Sequence, residues 1–238
     1  MKTLAAETPA IFIVFDLLVE GRKSLLDQPF KQRRAALQQF AERVFGKDGT
    51  FRLSPQTRSM AAAKNWLRRT GGNLDGIIAK RIDLPYRSGT RDGMQKIKTI
   101  RSADCVVGGF RYNEGTTVVG SLLLGLYDNN GLLNHVGFTS SLAQAGKNAL
   151  TAKLKKLIGG PGFTGNAPGG PSRWSTARSA EWQPLKPKLV VEVDYDHFSG
   201  DRFRHGTKLM RWRPDKSPKQ CTIDQVKQKK ADLMKLLT

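Results

Sequence analysis

The sequence predicts an α+β protein in two parts, a mixed helix-and-strand part followed by a part that is nearly all strand. Helical and strand patterns alternate up to about residue 102, whereas short strands separated by Gly and Asn turns dominate from about residue 103. The 238 residues are 39% hydrophobic, which is enough to bury a core. The composition therefore excludes a globally disordered chain, and we expect two domains, 1–102 and 103–238.

The first part contains one strand of the buried type, two amphipathic helices and two strands that carry charges. The run from Ile11 to Phe15 is β-branched and aromatic, which predicts a strand buried on both faces. Helical spacing of apolar residues covers Pro29 to Phe45 and Met60 to Thr70. Further strands are predicted at Leu74 to Arg81 and Gln95 to Lys98. Because a central strand this early has little chain before it to supply neighbours, we expect the fold to lack its beginning.

The second charged strand carries Lys96 and Lys98, two residues apart. Residues at this spacing point to the same face of a strand. Two ammonium groups on one face suit the binding of a single phosphate group. The alternative is a basic strand edge that is simply solvated.

The second part reads as a small β-barrel. About five strands with one interposed helix is the inventory of an OB-fold, which often binds nucleic acids. A Lys-rich helix is predicted at the C-terminus, over residues 223–237. The expected elements before it are strands at 105–112, 117–127 and 132–138, a helix at 142–157, and strands at 189–194 and 202–212.

The charge balance points to a polyanionic partner. There are 40 Lys and Arg against 20 Asp and Glu, a net charge of +20. No run approaches the ~18 consecutive apolar residues of a membrane span, and the first residues lack the core of a secretory signal, so we expect a cytoplasmic protein. Cys105 and Cys221 are predicted to be free thiols, and the three histidines form no metal or acid–base pattern.

Cations and aromatic residues are interleaved in the last part of the chain. Residues 202–238 hold eleven Lys and Arg against three Asp. Such a surface suits a DNA backbone and predicts binding that weakens steeply with salt and reads no sequence. The alternative for each aromatic residue is that it fills the interior of the barrel. The aromatic residues concerned are Trp174, Trp182, Phe198, Phe203 and Trp212.

Four short motifs occur in a fixed order along the chain. They are Val14 to Leu18 (VFDLL), Leu74 to Arg81 (LDGIIAKR), Lys96 to Lys98 (KIK) and Arg213 to Lys216 (RPDK). This ladder resembles that of the ATP-dependent DNA ligases, specifically the small bacterial type linked to end-joining. The resemblance covers roughly Ile11 to Lys227. It implies part of a nucleotidyltransferase (adenylation) domain followed by an OB-fold domain, with ATP, carried as AMP, and Mg²⁺ as cofactors.

The resemblance also implies residue roles. Phe15 would stack on the adenine, and Asp75 would hold the metal where the family has the longer Glu. Lys80, Lys96 and Lys98 would contact the nucleotide phosphate and serve in catalysis. The remaining nucleotide-binding residues would be Arg213, Asp215 and Lys216, in a motif that orients the pyrophosphate of ATP.

One element of the family is absent from these residues. The family forms a covalent lysyl-AMP on a Lys-x-Asp-Gly sequence before the Phe-Asp strand, and the sequence has no such motif. The string Lys47-Asp48-Gly49 lacks the intervening residue and follows Phe15, so it is interpreted as a turn. We therefore expect a ligase that acts on nicked or broken DNA but does not charge itself with AMP alone.

Several alternatives stay open. The chain is expected to be a ligase subunit completed by another polypeptide that supplies the missing half, a truncated ligase or remnant, or a module that only binds nicked DNA. A more remote class is an RNA ligase or a capping-type nucleotidyltransferase, which shares the same two-domain plan.

Overall fold

The computed structural model describes Thr3 and residues 7–46, 49–69, 75–143, 145–169 and 181–227. The chain divides into two compact units, the first ending at Lys98 and the second beginning at Thr99. The change of composition near residue 102 lies just inside the first strand of the second unit, Arg101–Tyr112.

In its described residues, the first unit has two helices that are described from end to end and three small sheets. Strand β1 pairs in parallel with β4, β2 forms a hairpin with β3, and β5 pairs antiparallel with β6. The bounds are α1 Phe30–Val44 and α2 Met60–Arg69, with β1 Phe12–Val14, β2 Val19–Glu20, β3 Lys23–Ser24, β4 Phe51–Leu53, β5 Gly76–Lys80 and β6 Met94–Lys98.

The prediction that the first strand is buried on both faces is wrong. Phe12 is 61% exposed and Ile13 is 38% exposed. Among the described residues, β4 is the single strand that pairs with β1. The apolar run therefore forms a strand, but the pairing leaves much of its side-chain surface open to solvent.

A buried ion pair joins the end of β1 to α1. The Arg33 guanidinium donates from Nε and Nη2 to the two carboxylate oxygens of Asp16, each at 3.0 Å, and from Nη1 to the carbonyl of Gln28 at 2.7 Å. The side chains of Arg33 and Asp16 are 4% and 7% exposed. Two charges this far from water are stabilising only because nearly every polar atom is paired. Arg34 is similarly buried and donates to Ser54.

The second unit is a closed β-barrel. Its main sheet has the order β14-β11-β7-β8-β9, and the short β10 pairs with β7. A bridge between Thr139 at the end of β9 and Thr207 before β14 closes the sheet. Helix α3, Lys147–Lys155, lies between β9 and β11 in the chain. The strand bounds are β7 Arg101–Tyr112, β8 Val119–Tyr127, β9 Leu133–Thr139, β10 Gln183–Pro184, β11 Val190–Tyr195, β12 Phe198–Ser199, β13 Arg202–Phe203 and β14 Lys208–Trp212.

This order of strands and the interposed helix confirm the predicted OB-fold barrel. The strand predicted over residues 202–212 is divided in two, because residues 202–203 turn back on β12 as a small hairpin and β14 begins only at Lys208. The predicted helix over 223–237 lies mostly outside the described residues, which show a short 3₁₀ turn at Ile223–Gln225.

The barrel interior is apolar and tightly filled. Phe110, Leu122 and Leu124 are fully buried at its centre, and both free thiols, Cys105 and Cys221, are buried as predicted. Glycine is required at residue 108, because a Cβ there would lie 2.6 Å from the ring of Phe163. Of the predicted DNA-contacting aromatic residues, Trp182, Phe198, Phe203 and Trp212 pack on this core, whereas Trp174 lies outside the described residues.

No helix in the described part of the chain is both long enough and apolar enough to cross a membrane.

Replacing Asp16 with Asn tests the buried ion pair. The change leaves the buried Arg33 without its counter-charge, so the free energy of unfolding of the first unit is expected to fall by about 3–5 kcal/mol. The measurement is urea unfolding followed by circular dichroism. The matched control is Glu20→Gln, which breaks the exposed pair with Arg43 and is expected to cost under about 1 kcal/mol. Equal losses of unfolding free energy in the two variants would contradict the assignment of Asp16 and Arg33 as a buried, stabilising ion pair.

A buried histidine in β9 makes the stability of the barrel depend on pH. His135 is 6% exposed, and its Nε2 has no hydrogen-bond partner among the described residues. Burial, assisted by the charges of Arg202 and Arg111, lowers the pKa of His135 from 6.5 to about 3. Between these two values the unfolded chain binds a proton that the native chain does not, so stability falls as the pH falls through this window.

Replacing His135 with Leu tests this dependence. The wild type is expected to lose about 2 kcal/mol more stability than His135→Leu between pH 7 and pH 5, since each pKa unit is worth 1.36 kcal/mol. Urea midpoints of both chains at the two pH values check it. Parallel pH dependences would show that His135 does not stay neutral in the native barrel.

Candidate functional site

The hairpin of β5 and β6 places the three predicted phosphate-binding lysines on one face. Lys98 pairs with Gly76, Lys96 with Ile78, and Lys80 stands opposite Met94. Residues directly opposite each other, and residues two apart on a strand, point to the same side. Lys96 and Lys98 are therefore neighbours on that face. Lys80 and Lys98 lie at opposite ends of the ladder, about 13 Å apart along the strand direction.

Asp75, the predicted metal ligand, contacts the middle lysine of this face. Its Oδ2 accepts a hydrogen bond from Lys96 Nζ at 2.9 Å. The following glycine makes the approach possible, because a Cβ on Gly76 would lie 2.0 Å from the carbonyl oxygen of Ile97. The Asp-Gly pair of the motif thus lets the carboxylate enter the hairpin beside the lysine pair. In this arrangement Lys96 and a metal ion would compete for the same carboxylate.

Lys80 lies in a different environment from Lys96 and Lys98. Its ammonium is 3.5 Å from Asp16 Oδ2 and sits over two aromatic rings, 4.8 Å from the centre of Phe15 and 4.5 Å from that of Phe30. Burial lowers the pKa of Lys80, partly offset by the charge of Asp16. The structure therefore brings the Lys80 ammonium to Phe15, the predicted adenine contact.

Phe15 has a surface available for stacking. Its side chain is 60% exposed although it directly follows β1. The exposed ring leaves room for the predicted stacking role, although Phe12 of the same run is exposed to the same extent. The open ring beside a cation suits a flat heteroaromatic base.

The Arg213 to Lys216 motif lies in the second unit and is held by acids. Arg213 donates from Nη1 to both oxygens of Asp104 at 2.9 and 3.1 Å, and from Nε and Nη2 to Asp215 at 3.0 and 2.9 Å. Lys216 Nζ donates to Asp104 Oδ2 at 2.6 Å. The hydrogen bonds to Asp215, with the charges of Asp104 and Glu192, raise the pKa of Arg213 above its ordinary value.

Sequence reasoning missed four residues that organise these sites, Asp16, Phe30, Arg33 and Asp104. Two of them carry a visible signal, since each is an acid beside an apolar strand run, Asp16 after Ile11 to Phe15 and Asp104 before Cys105 to Val107. A charge in such a place is expected to have a partner. The partners themselves come from elsewhere in the chain, 17 residues away for Arg33 and 109 for Arg213.

The residues of the hairpin fit a nucleotide phosphate and a magnesium ion. The described residues contain no cluster of three or more His, Cys, Asp or Glu that would hold a metal by protein groups alone. Magnesium is commonly held by one or two carboxylates together with phosphate oxygens and water. Asp75 beside Lys96 and Lys98 matches that pattern, because one carboxylate lies next to two cations that suit a phosphate.

Comparison with known proteins gives the family. The family model described as "ATP dependent DNA ligase domain" matches residues 1–98, and the model described as "ATP dependent DNA ligase C terminal region" matches residues 115–216. DNA ligase C1 of Mycolicibacterium smegmatis is 43% identical over 95% of this chain and 64% of its own length. DNA ligase C of Mycobacterium tuberculosis is 38% identical over 95% of this chain and 67% of its own length.

Solved structures agree on the fold. A structure described as a Lig E DNA ligase aligns with 85% of this chain and 63% of its own, with a TM-score of 0.50 and 18% identity. The chain spans about two thirds of the length of the two mycobacterial ligases, and 43% of the probable DNA ligase of Anaeromyxobacter dehalogenans (strain 2CP-C). It carries the second and third motifs of the ladder on one hairpin and the fourth on a barrel. The chain belongs to the ATP-dependent DNA ligase family.

Proposed function

We propose that this chain acts in the sealing of nicks or breaks in double-stranded DNA, in a reaction that draws on ATP and Mg²⁺. The observation that carries the proposal is the β5–β6 hairpin, which sets Lys96 and Lys98 on one face with the Asp75 carboxylate beside them. Two cations and one carboxylate in this arrangement suit a phosphate and its metal ion. Family membership supports the same reaction.

The hairpin's part in sealing is electrostatic. In the last step of such a reaction the 3′-hydroxyl attacks the 5′-phosphorus, a new P–O bond forms, and the bond to AMP breaks as AMP leaves. Charge builds up on the phosphate oxygens, and fixed cations that face those oxygens lower the barrier. Lys98, with Lys96, would supply that charge. Mg²⁺, when bound, adds further charge stabilisation as a Lewis acid.

The Asp75 carboxylate would change partner during this cycle. It is bound to Lys96 in the structure. A phosphate that takes over Lys96 would release the carboxylate, which could then hold the metal. Because Asp is one methylene shorter than Glu, a water molecule between Asp75 and the ion would suit the reach.

Phe15 and Lys80 would form the base end of the same nucleotide site. The exposed ring lies over the Lys80 ammonium, whose other neighbours are Asp16 and Phe30. In this proposal Lys80 supports the ring that stacks on adenine, and the phosphate contacts fall to Lys96 and Lys98. The resemblance implies a phosphate contact for Lys80, whereas this proposal gives Lys80 the support of the Phe15 ring.

The nucleophile would come from outside these 238 residues. They contain no Lys-x-Asp-Gly sequence, and Lys47 and Asp48 of the nearest string lie outside the described residues. Covalent charging with AMP needs a lysine that carries the intermediate. We therefore expect these residues to complete a reaction begun by a lysine on a further segment or a separate polypeptide.

The DNA would be the bacterial chromosome, in the cytoplasm and with the nucleoid.

Sealing of a nick whose 5′-phosphate already carries AMP, with Mg²⁺ and without ATP, tests the proposal directly. This substrate needs no nucleophilic lysine. The wild-type chain is expected to seal it, and Lys98→Ala is expected to be slower by at least about 100-fold, the cost of removing one fixed charge at a developing oxyanion. Denaturing gel electrophoresis of the labelled strand measures the product.

The matched control is Lys64→Ala, which removes an exposed cation from α2 in the same unit. It is expected to seal within about threefold of the wild type, the effect of one weakened backbone contact. No sealing by the wild type, although nicked DNA is bound, would refute the catalytic proposal. The chain would then be a DNA-binding module or a ligase remnant.

The net charge of +20 favours DNA binding in either case. Binding is expected to lose about 10³-fold or more in affinity between 50 and 200 mM salt, as for proteins with six or more phosphate contacts. Fluorescence anisotropy with two unrelated duplexes of equal length checks both the slope and the lack of sequence preference. A weak dependence of the affinity on salt concentration would mean that the Lys and Arg side chains do not contact the DNA backbone.

A further inference from the structure

One buried carboxylate in the barrel binds both cations of the Arg213 to Lys216 motif. Asp104 lies on β7 and is 8% exposed. It accepts two hydrogen bonds from Arg213 Nη1 and one from Lys216 Nζ. Both cations are also largely covered, with side chains 19% and 22% exposed. The motif therefore does not project freely into water.

The backbone of Asp104 is fixed as well as its side chain. Gln225 Oε1 accepts a hydrogen bond from the Asp104 amide at 3.1 Å, and Gln225 Nε2 donates to the Asp104 carbonyl at 3.2 Å. On the other side, Asp104 stands opposite Glu192 in the β7–β11 ladder. Because strand pairing and the Gln225 side chain both hold the Asp104 backbone, the Asp104 carboxylate is a rigid anchor for Arg213 and Lys216.

The anchor determines which edge of the guanidinium is presented outward. Asp104 takes the Nη1 edge, and the Nε–Nη2 edge faces Asp215, whose side chain is 62% exposed. A planar guanidinium offers paired donors along such an edge, a geometry that matches two phosphate oxygens. An anion that arrives from solvent would therefore displace the exposed Asp215 carboxylate from the Nε–Nη2 edge of Arg213 and would reach the ammonium of Lys216.

We propose that Asp104 is a positioning residue for pyrophosphate binding by Arg213 and Lys216. Asp104 would touch no phosphate itself and would act by holding both cations in one arrangement before the anion arrives. The proposal rests on the proposed function, a reaction that draws on ATP, and on the pyrophosphate contact that the resemblance implies for this motif.

Two opposing effects decide the sign of the expected result. Removing the Asp104 charge would lessen repulsion of an anion. It would also release Lys216 from this carboxylate and leave Arg213 with Asp215, the group that the anion displaces, so that ordering both long side chains on binding costs rotamer entropy. With both cations anchored by this one carboxylate, we expect the loss of order to outweigh the lessened repulsion.

The experiment is titration of the full chain with inorganic pyrophosphate by isothermal titration calorimetry. Asp104→Asn is expected to bind pyrophosphate about tenfold more weakly than the wild type, through the lost anchoring of two charged side chains. Asp104→Glu keeps the charge and is expected to recover part of that loss. Asp194→Asn on β11 is the control for the same change in net charge, and it is expected to match the wild type.

Each outcome decides for or against the proposal. Equal or tighter binding by Asp104→Asn would overturn it, because Asp104 would then compete with the anion. Equal losses in Asp104→Asn and Asp194→Asn would overturn it, because the loss would then not depend on the carboxylate that binds the two cations. An Asp104→Glu chain no better than Asp104→Asn would overturn it in favour of a purely structural role. A wild type that binds no pyrophosphate overturns it too, while the sealing assay judges the proposed function separately.

A milder variant covers the case in which Asp104→Asn does not fold. Gln225→Ala removes the two hydrogen bonds that hold the Asp104 backbone and changes no charge. Gln225 is exposed, so the barrel is expected to tolerate the change. Pyrophosphate binding about threefold weaker in Gln225→Ala supports the proposal, given the modest worth of neutral hydrogen bonds. Unchanged binding overturns it.

Discussion

The close approach of β5 to β6 is the constraint on which the candidate site depends. A residue with a side chain at position 76 would collide with the carbonyl of Ile97, so the glycine is what allows the two strands to pair at this end. The pairing in turn sets the faces of Lys96 and Lys98 and brings Asp75 to Lys96. The register of the β5–β6 hairpin therefore decides that these residues, which are separated in the sequence, lie together in one site.

A second theme is that a strongly basic chain is organised by a few acids. Asp16, Asp75 and Asp104 each bind one or two cations of the sites, and Asp16 and Asp104 do so while almost wholly covered. Positive charges that would otherwise repel one another are held in defined geometry by these carboxylates. In the proposed function the excess positive charge would attract DNA, whereas the buried carboxylates hold the cations of the sites in fixed positions.

The sequence predicted the parts of the molecule that depend on local pattern. The barrel, its interposed helix, the shared face of Lys96 and Lys98 and the buried thiols all follow from periodicity and composition. The sequence did not predict the features that depend on pairing between residues far apart in the chain. The run from Ile11 to Phe15 has the composition of a covered strand, yet its exposure depends on which strands pair with it. The burial of Arg33 depends on Asp16, and no helical periodicity marks a charged residue as buried.

The closure of the barrel by Thr139 and Thr207 has a consequence for how the protein folds. The bonds between these ends join residues 68 and 69 positions apart, whereas the hairpins of β7, β8 and β9 join near neighbours in the chain. Loop-closure entropy delays such distant contacts until local pairing is in place. We expect the β7–β8–β9 meander to form early. The seam is expected to close late, together with the β7–β11 ladder, which pairs Val190 with Val106 and Tyr195 with Arg101.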